Sequence, residues 1–319
     1  MKQFTSVSDV TDLSAFVEQA IRLKADPFAF SGLGRNKTLG LIFLNPSLRT
    51  RLSTQKAAAN LGMHVMVMNI DKEGWALEMK DHAIMNGSTV EHIRDAAAVI
   101  GKYCDIVGLR SFPGLKNREE DYSEEILKKF IRYVNVPVIS LESATLHPLQ
   151  SFADLISIEE NRKSKKPKVV LTWAPHIKPL PQAVANSFAE WMTKAAMNLV
   201  ITHPKGYDLD TKYTGNAAVS YKQEEALKDA DFVYVKNWSS YFDYGKILSA
   251  GKGWMLTNKK LEQTNRAKVM HCLPVRRGLE LSHEILDGKQ SLVLQQAENR
   301  VYAAQTVLKT LLENLSSKK

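Results

Sequence analysis

Cysteine is almost missing from this chain: Cys104 and Cys272 are the only two in 319 residues. Neither falls in a CxxC or other metal-ligand spacing, so no disulfide framework is expected and both should be reduced thiols. Long apolar runs are missing as well. No stretch of about 18 apolar residues occurs, which excludes a membrane-spanning helix. Residues 1–12 carry no signal-like apolar core, so a cytoplasmic location is expected. Glycine-rich phosphate loops are also absent. Gly32-Leu33-Gly34 is the nearest approach to GxGxxG, but it lacks the third glycine and precedes a strand-like run. There is no Walker A loop, no HExxH and no His/Cys cluster, so no dinucleotide, metal or other cofactor is expected.

What is present suits an enzyme with a core. Hydrophobic residues make up 44% of the chain, and 43 Lys and Arg against 34 Asp and Glu give a formal charge of +9. The densest basic run, Arg162 to Lys168, lacks interleaved aromatics and reads as a solvated loop rather than a nucleic-acid surface. A basic balance also suits small polyanionic substrates.

Short apolar runs alternate with amphipathic ones. Strands are predicted at Thr38–Leu44, His64–Met68, Asp105–Leu109, Val136–Ser140, Val169–Trp173, Leu199–Thr202, Phe232–Val235, Val269–Cys272 and Ser291–Leu294. Helices are predicted at Leu13–Lys24, Leu52–Leu61, Val90–Lys102, Ser123–Tyr133, Ser151–Glu160, Val184–Ala196 and Asn299–Leu315. The alternation indicates an α/β fold with two doubly wound parallel-sheet domains. The boundary is expected near residue 150, giving halves 1–150 and 151–298, with the terminal helix 299–319 packing back on the first.

In open α/β sheets, ligands bind beyond the carboxyl ends of the strands. Ser47, Leu48, Arg49, Thr50 and Arg51 follow the first strand and open a helix. Hydroxyls, backbone N–H groups and guanidinium forks at a helix N-terminus make a phosphate cradle. An N-cap serine and two solvated arginines would be the plainer reading, but first-turn cations oppose the helix dipole unless an anion is present. Other strand ends carry Arg110, Glu142, His147 to Gln150, His176, Lys236, Arg276 and Arg300. So many cations with so few carboxylates imply a strongly anionic ligand.

Three motifs, Ser-Leu-Arg-Thr-Arg at 47–51, His-Pro-Leu-Gln at 147–150 and His-Cys-Leu-Pro at 271–274, occur in that order. Together they resemble the aspartate/ornithine carbamoyltransferase superfamily, over the full chain. The resemblance implies a carbamoyl-phosphate domain, an amino-acid domain and a homotrimer with active sites at subunit interfaces. It places carbamoyl phosphate on Ser47, Leu48, Arg49, Thr50, Arg110, His147, Gln150 and Arg300, with Trp75 supplied by a neighbouring subunit. Arg110, His147, Cys272 and Arg300 would be the catalytic set, with Cys272 and Leu273 offering backbone carbonyls to the attacking amine.

Leu48 stands where ordinary members usually have Thr, and Lys236 lies where they carry an Asp. An acylated ornithine has lost its α-ammonium charge and keeps its carboxylate, so a cation there fits it better. These positions, Glu73-Gly74-Trp75 and the proline-rich stretch Ala174–Gln182 resemble the N-acyl-ornithine branch, in which that stretch takes part in a backbone knot. The branch implies acceptor contacts at Val90, Glu142, His176, Lys236, Cys272, Leu273 and Arg276. Succinyl-specific members have Pro at the position of Val90 and acetyl-specific ones Glu. Val is neutral and lacks the charge that would repel a distal carboxylate. N-succinyl-L-ornithine is therefore the expected acceptor, with N-acetyl-L-ornithine or dual use, and a non-catalytic anion-binding homologue, as alternatives.

Overall fold

A computed structural model describes residues 1–317 and divides the chain into two compact units. Unit 1 comprises Met1–Pro113, Glu119–Leu149 and the residues from Arg300; unit 2 comprises Gly114–Arg118 and Gln150–Asn299.

Unit 1 contains α1 (Leu13–Ala25), β1 (Thr38–Phe43), α2 (Leu48–Asn60), β2 (His64–Asn69), α3 (Ile93–Tyr103), β3 (Ile106–Arg110), α4 (Glu125–Val134) and β4 (Val138–Glu142). The sheet order is β2-β1-β3-β4, with every pair parallel. β1, β3 and β4 are near-continuous apolar runs because both sheet faces are covered. β2 lies at an edge and alternates between exposed and half-buried residues. The opposite edge is closed by Phe4, which bridges Ile139 in parallel. Ile42, Ile93, Val107, Leu109, Leu127 and Phe130 form the core between the sheet and α3/α4.

Helix α5 (Pro148–Asn161) follows, and then β5 (Lys168–Trp173), α6 (Ala183–Lys194), β6 (Asn198–Thr202), β7 (Ala218–Ser220), β8 (Phe232–Lys236) and β9 (Lys268–Met270), before α7 (Val293–Ser316). The unit 2 sheet runs β9-β8-β5-β6-β7, again all parallel. Its core gathers Val170, Val233, Val235, Leu256, Val269 and Leu281. The excursion at Gly114–Arg118 joins this unit by side-chain chemistry: Arg118 lies 4.5 Å from the Tyr241 ring centroid and donates to the Tyr241 carbonyl at 3.1 Å.

One predicted strand is corrected. Ser291 makes only an isolated bridge to Val269, and helix α7 begins at Val293 rather than Asn299. The three apolar residues Leu292, Val293 and Leu294 fit a strand or the first turn of a helix equally well. The helix predicted from Val90 begins at Ile93, because Glu91 and His92 pair with Leu77 and Glu78 in a two-residue ladder.

Candidate active site

In unit 1, β1 ends at Phe43 and the chain turns through Asn45-Pro46 into α2. Ser47 is the N-cap residue, in extended conformation, and its hydroxyl makes no capping bond. The first turn of this 13-residue helix carries Arg49 and Thr50. Thr50 is buried, and Arg300 Nη2 on α7 donates to its Oγ1 at 2.6 Å. That bond brings together two arginine-bearing segments 250 residues apart.

Arg110 ends β3 and is held from three sides. Its Nη1 donates to the Pro46 carbonyl at 2.7 Å, Nη2 donates to Glu142 Oε2 at 2.7 Å, and the guanidinium lies over Phe112. His147 Nε2 approaches the same Glu142 oxygen at 3.7 Å. Arg110, Glu142 and His147 are all buried, so the carboxylate fixes the Arg110 guanidinium beside the His147 ring in a weakly screening environment. Glu124 shapes the approach to His147: its carboxylate accepts from Ser143 Oγ and from the hydroxyl and N–H of Thr145.

Trp75 and Val90 flank a short two-stranded ladder elsewhere in unit 1. Val90 N–H donates to the Ala76 carbonyl at 3.0 Å, next to the Leu77–Glu91 pairing, and Trp75 Nε1 donates to Glu91 Oε2 at 2.9 Å. Both side chains remain exposed, at 53% and 64%.

Unit 2 gathers the other predicted residues at its strand ends. Lys236 closes β8 and is buried; Cys272 and Leu273 follow β9. Leu273 sits at φ +54°, a left-handed conformation that costs a γ-branched residue roughly 1–2 kcal/mol. Its N–H donates to His271 Nδ1 at 2.9 Å, so the ring proton lies on Nε2, which faces Glu280 Oε1 at 3.4 Å. Arg276 Nε donates to His176 Nε2 at 3.1 Å, and the Nδ1 edge of the ring lies against the Lys178 backbone, 2.9 Å from its carbonyl oxygen and 3.1 Å from its nitrogen. The proline-rich stretch is tied to the segment after β8: Ser239 N–H donates to the Leu180 carbonyl, and Asn237 Nδ2 to the Ala174 carbonyl.

Glu280 escaped sequence reasoning. It accepts from Arg276 N–H at 2.7 Å, faces His271 and feels the charge of Lys236. Burial raises its pKa, but the His271 contact, Lys236 and the Arg276 N–H outweigh that and hold the carboxyl below its usual range. No motif marks it, since it lies nine residues beyond His271 in an irregular segment.

Each unit carries a parallel sheet with basic side chains at or beyond its strand ends, an arrangement suited to anionic small molecules, and comparison with known proteins gives the class. Residues 2–160 match the family described as aspartate/ornithine carbamoyltransferase, carbamoyl-P binding domain; residues 181–311 match its Asp/Orn binding domain. The chain belongs to the aspartate/ornithine carbamoyltransferase family. It is 53% identical over 317 residues to the N-succinylornithine carbamoyltransferase of Bacteroides fragilis (strain 638R), covering 99% of this chain and 100% of the relative. The N-acetylornithine carbamoyltransferase of Xanthomonas axonopodis pv. citri is 32% identical, with coverage of 98% and 96%. Among solved structures, a lysine-to-alanine mutant of N-acetyl-L-ornithine transcarbamylase complexed with PALAO superposes with a TM-score of 0.92 at 31% identity, covering 98% of this chain and 100% of that one. A glutamate-to-valine mutant of the same enzyme, complexed with carbamyl phosphate and N-succinyl-L-norvaline, superposes with the same score, identity and coverage. No helix among the described residues is long and apolar enough to cross a membrane.

Proposed function

We propose that this protein transfers the carbamoyl group of carbamoyl phosphate to the δ-amine of N-succinyl-L-ornithine, forming N-succinyl-L-citrulline and phosphate on a route to arginine. The full-length 53% identity to an N-succinylornithine carbamoyltransferase carries this reading.

Unit 1 binds carbamoyl phosphate and unit 2 supplies most of the acyl-ornithine contacts. Ser47, the Leu48 N–H, Arg49 and Thr50 hold the phosphate at the start of α2. Arg110, His147 and Arg300 stabilise negative charge on the carbonyl and phosphate oxygens, and Gln150 accepts from the carbamoyl NH₂. The backbone carbonyls of Cys272 and Leu273 orient the δ-amine, whose lone pair attacks the carbonyl carbon. A C–N bond forms, a tetrahedral oxyanion develops, and donors aimed at it contribute roughly 3 kcal/mol each in comparable sites. The C–O bond to phosphate then breaks, and the departing phosphate takes up the amine proton. Glu142, His176, Lys236 and Arg276 hold the acceptor, with Lys236 as partner for its α-carboxylate.

Val90 sets the acyl preference. It presents no charge to a distal succinyl carboxylate, and the glutamate-to-valine change in the neighbouring structure accompanies a succinyl ligand. Trp75 acts in the site of a neighbouring copy, within a homotrimer. Its exposure, and that of Leu52, Met66 and Met68, supports a covered face in the assembly.

Citrulline-type product formation should be measured with ornithine, N-acetylornithine and N-succinylornithine, for the wild type and Val90→Glu. The succinyl compound should be used best, and Val90→Glu should reduce its kcat/KM about tenfold through like-charge repulsion. Faster turnover of N-acetylornithine by the wild type would overturn the acceptor assignment. No product with any acceptor would overturn the enzyme assignment.

A further inference from the structure

The residues given to the two substrates in unit 2 are joined by a buried hydrogen-bond chain. Gln150 Nε2, on α5, donates to Asp154 Oδ1 at 2.8 Å. Gln296 Nε2, on α7, donates to the same oxygen at 2.9 Å. Gln296 Oε1 accepts from the His271 N–H at 2.8 Å, and His271 Nδ1 in turn accepts from the Leu273 N–H at 2.9 Å. Gln150, Asp154, Gln296 and His271 are each at most 1% exposed.

We propose that Asp154 is a positioning residue for the transfer: it fixes which end of the Gln150 amide faces carbamoyl phosphate and, through Gln296, anchors the His271–Leu273 turn that receives the amine. This rests on the assignment of Gln150 to the carbamoyl NH₂. An ionised carboxylate only accepts hydrogen bonds. Each neighbouring carboxamide must therefore turn its NH₂ towards Asp154 and its oxygen away. For Gln150, the outward end is then an acceptor, which is what a carbamoyl NH₂ requires. For Gln296, the outward end is an acceptor for the His271 N–H. One charge thus orients two amides of opposite destination. A buried carboxylate costs folding free energy relative to an apolar residue of similar shape, so packing alone does not account for it. Tyr234 adds to the local polarity: its buried phenol lies beside Asp154 and Cys272, and burial together with those groups keeps it protonated.

Asparagine at 154 keeps the shape but can present either end of its own amide, so the bias on Gln150 is lost. The test is a double-mutant cycle of Asp154→Asn and Gln150→Ala, read as kcat and KM for both substrates on variants with wild-type circular dichroism. Asp154→Asn should lower kcat about 10- to 100-fold, the scale of a hydrogen bond to a charged group. In the Gln150→Ala background, the same change should cost at least about threefold less than in the wild type, because the Gln150 route is gone and only the route through Gln296 remains. Undiminished, multiplicative effects would overturn the proposal, as would an Asp154→Asn variant with wild-type kcat. Wild-type rates in Gln150→Ala would overturn it differently, by removing the assignment of Gln150 on which it rests. If Asp154→Asn fails to fold, Asp154→Ser in the same cycle carries the test. It keeps a small polar side chain but removes the carboxylate that orients Gln150, so its loss in kcat should likewise shrink when Gln150 is alanine. A loss independent of Gln150 would overturn the coupling.

Discussion

Glu280 ties three groups at the strand ends of unit 2 to one side chain. It contacts Arg276 N–H and His271 and lies in the field of Lys236, and together these outweigh its burial and hold its pKa down. A carboxyl whose folded pKa is depressed contributes stability that is fully present above its unfolded pKa, near 4.3, and is lost as pH falls through the folded value. Glu280→Gln should therefore lower the urea midpoint at about pH 7 and converge on the wild type as the pH falls through the folded pKa. A gap that stays constant with pH would show that shape, not charge, is what Glu280 supplies. The same residue marks the limit of reading single positions from sequence. Arg49, Arg110, His147 and Arg300 stood out in the sequence because basic side chains after predicted strands are costly without an anion. Glu280, Asp154 and Gln296 were not, because their partners depend on packing between segments. Asp154 and Gln296, for example, meet across 142 positions. A residual signal existed only for Asp154, which stands one helical turn after Gln150 on the same face.

At the scale of elements, the strands buried on both faces were the most legible, since runs such as Thr-Leu-Gly-Leu-Ile-Phe have no polar face to confuse the period. The three-residue edge strand β7 carried too little apolar sequence to be seen, and the start of α7 was misread as a strand. Within β1, Gly40 shows how tightly the site's supporting sheet is built. A Cβ placed there would lie 2.6 Å from Cys104 Sγ, at the start of the segment leading into β3. Gly40→Ala should destabilise the protein by about 1–3 kcal/mol through overpacking. Combining it with Cys104→Ala removes the obstructing sulfur, so the double variant should regain at least about 1 kcal/mol relative to additivity. Simple additivity in urea denaturation would show that the sheet yields elsewhere. The buried thiol is held protonated, first by burial and then by Asp105, so this sulfur is packing material rather than a reactive group.

At the scale of the whole molecule, the ladder that carries Trp75 and Val90 sets the sharpest expectation. Its two side chains project into solvent from unit 1, although the proposed reaction uses both. If Trp75 completes the site of a neighbouring copy, the active species is an oligomer, and light scattering should return three times the 35.8 kDa chain mass. Trp75→Ala and Arg49→Ala should each be nearly inactive alone. Mixed in equal amounts and reassembled, they should recover roughly a quarter of wild-type activity. In a cyclic trimer each site draws Arg49 from one copy and Trp75 from the next, and random mixing makes both intact in about one site in four. If both residues served the site of their own chain, every site in every hybrid would lack one of them. Reassembly would then recover nothing, however complete the mixing. The two arrangements differ in kind rather than degree, so recovered activity at the quarter level assigns Trp75 to the neighbour's site, and its absence in verified hybrids returns Trp75 to its own.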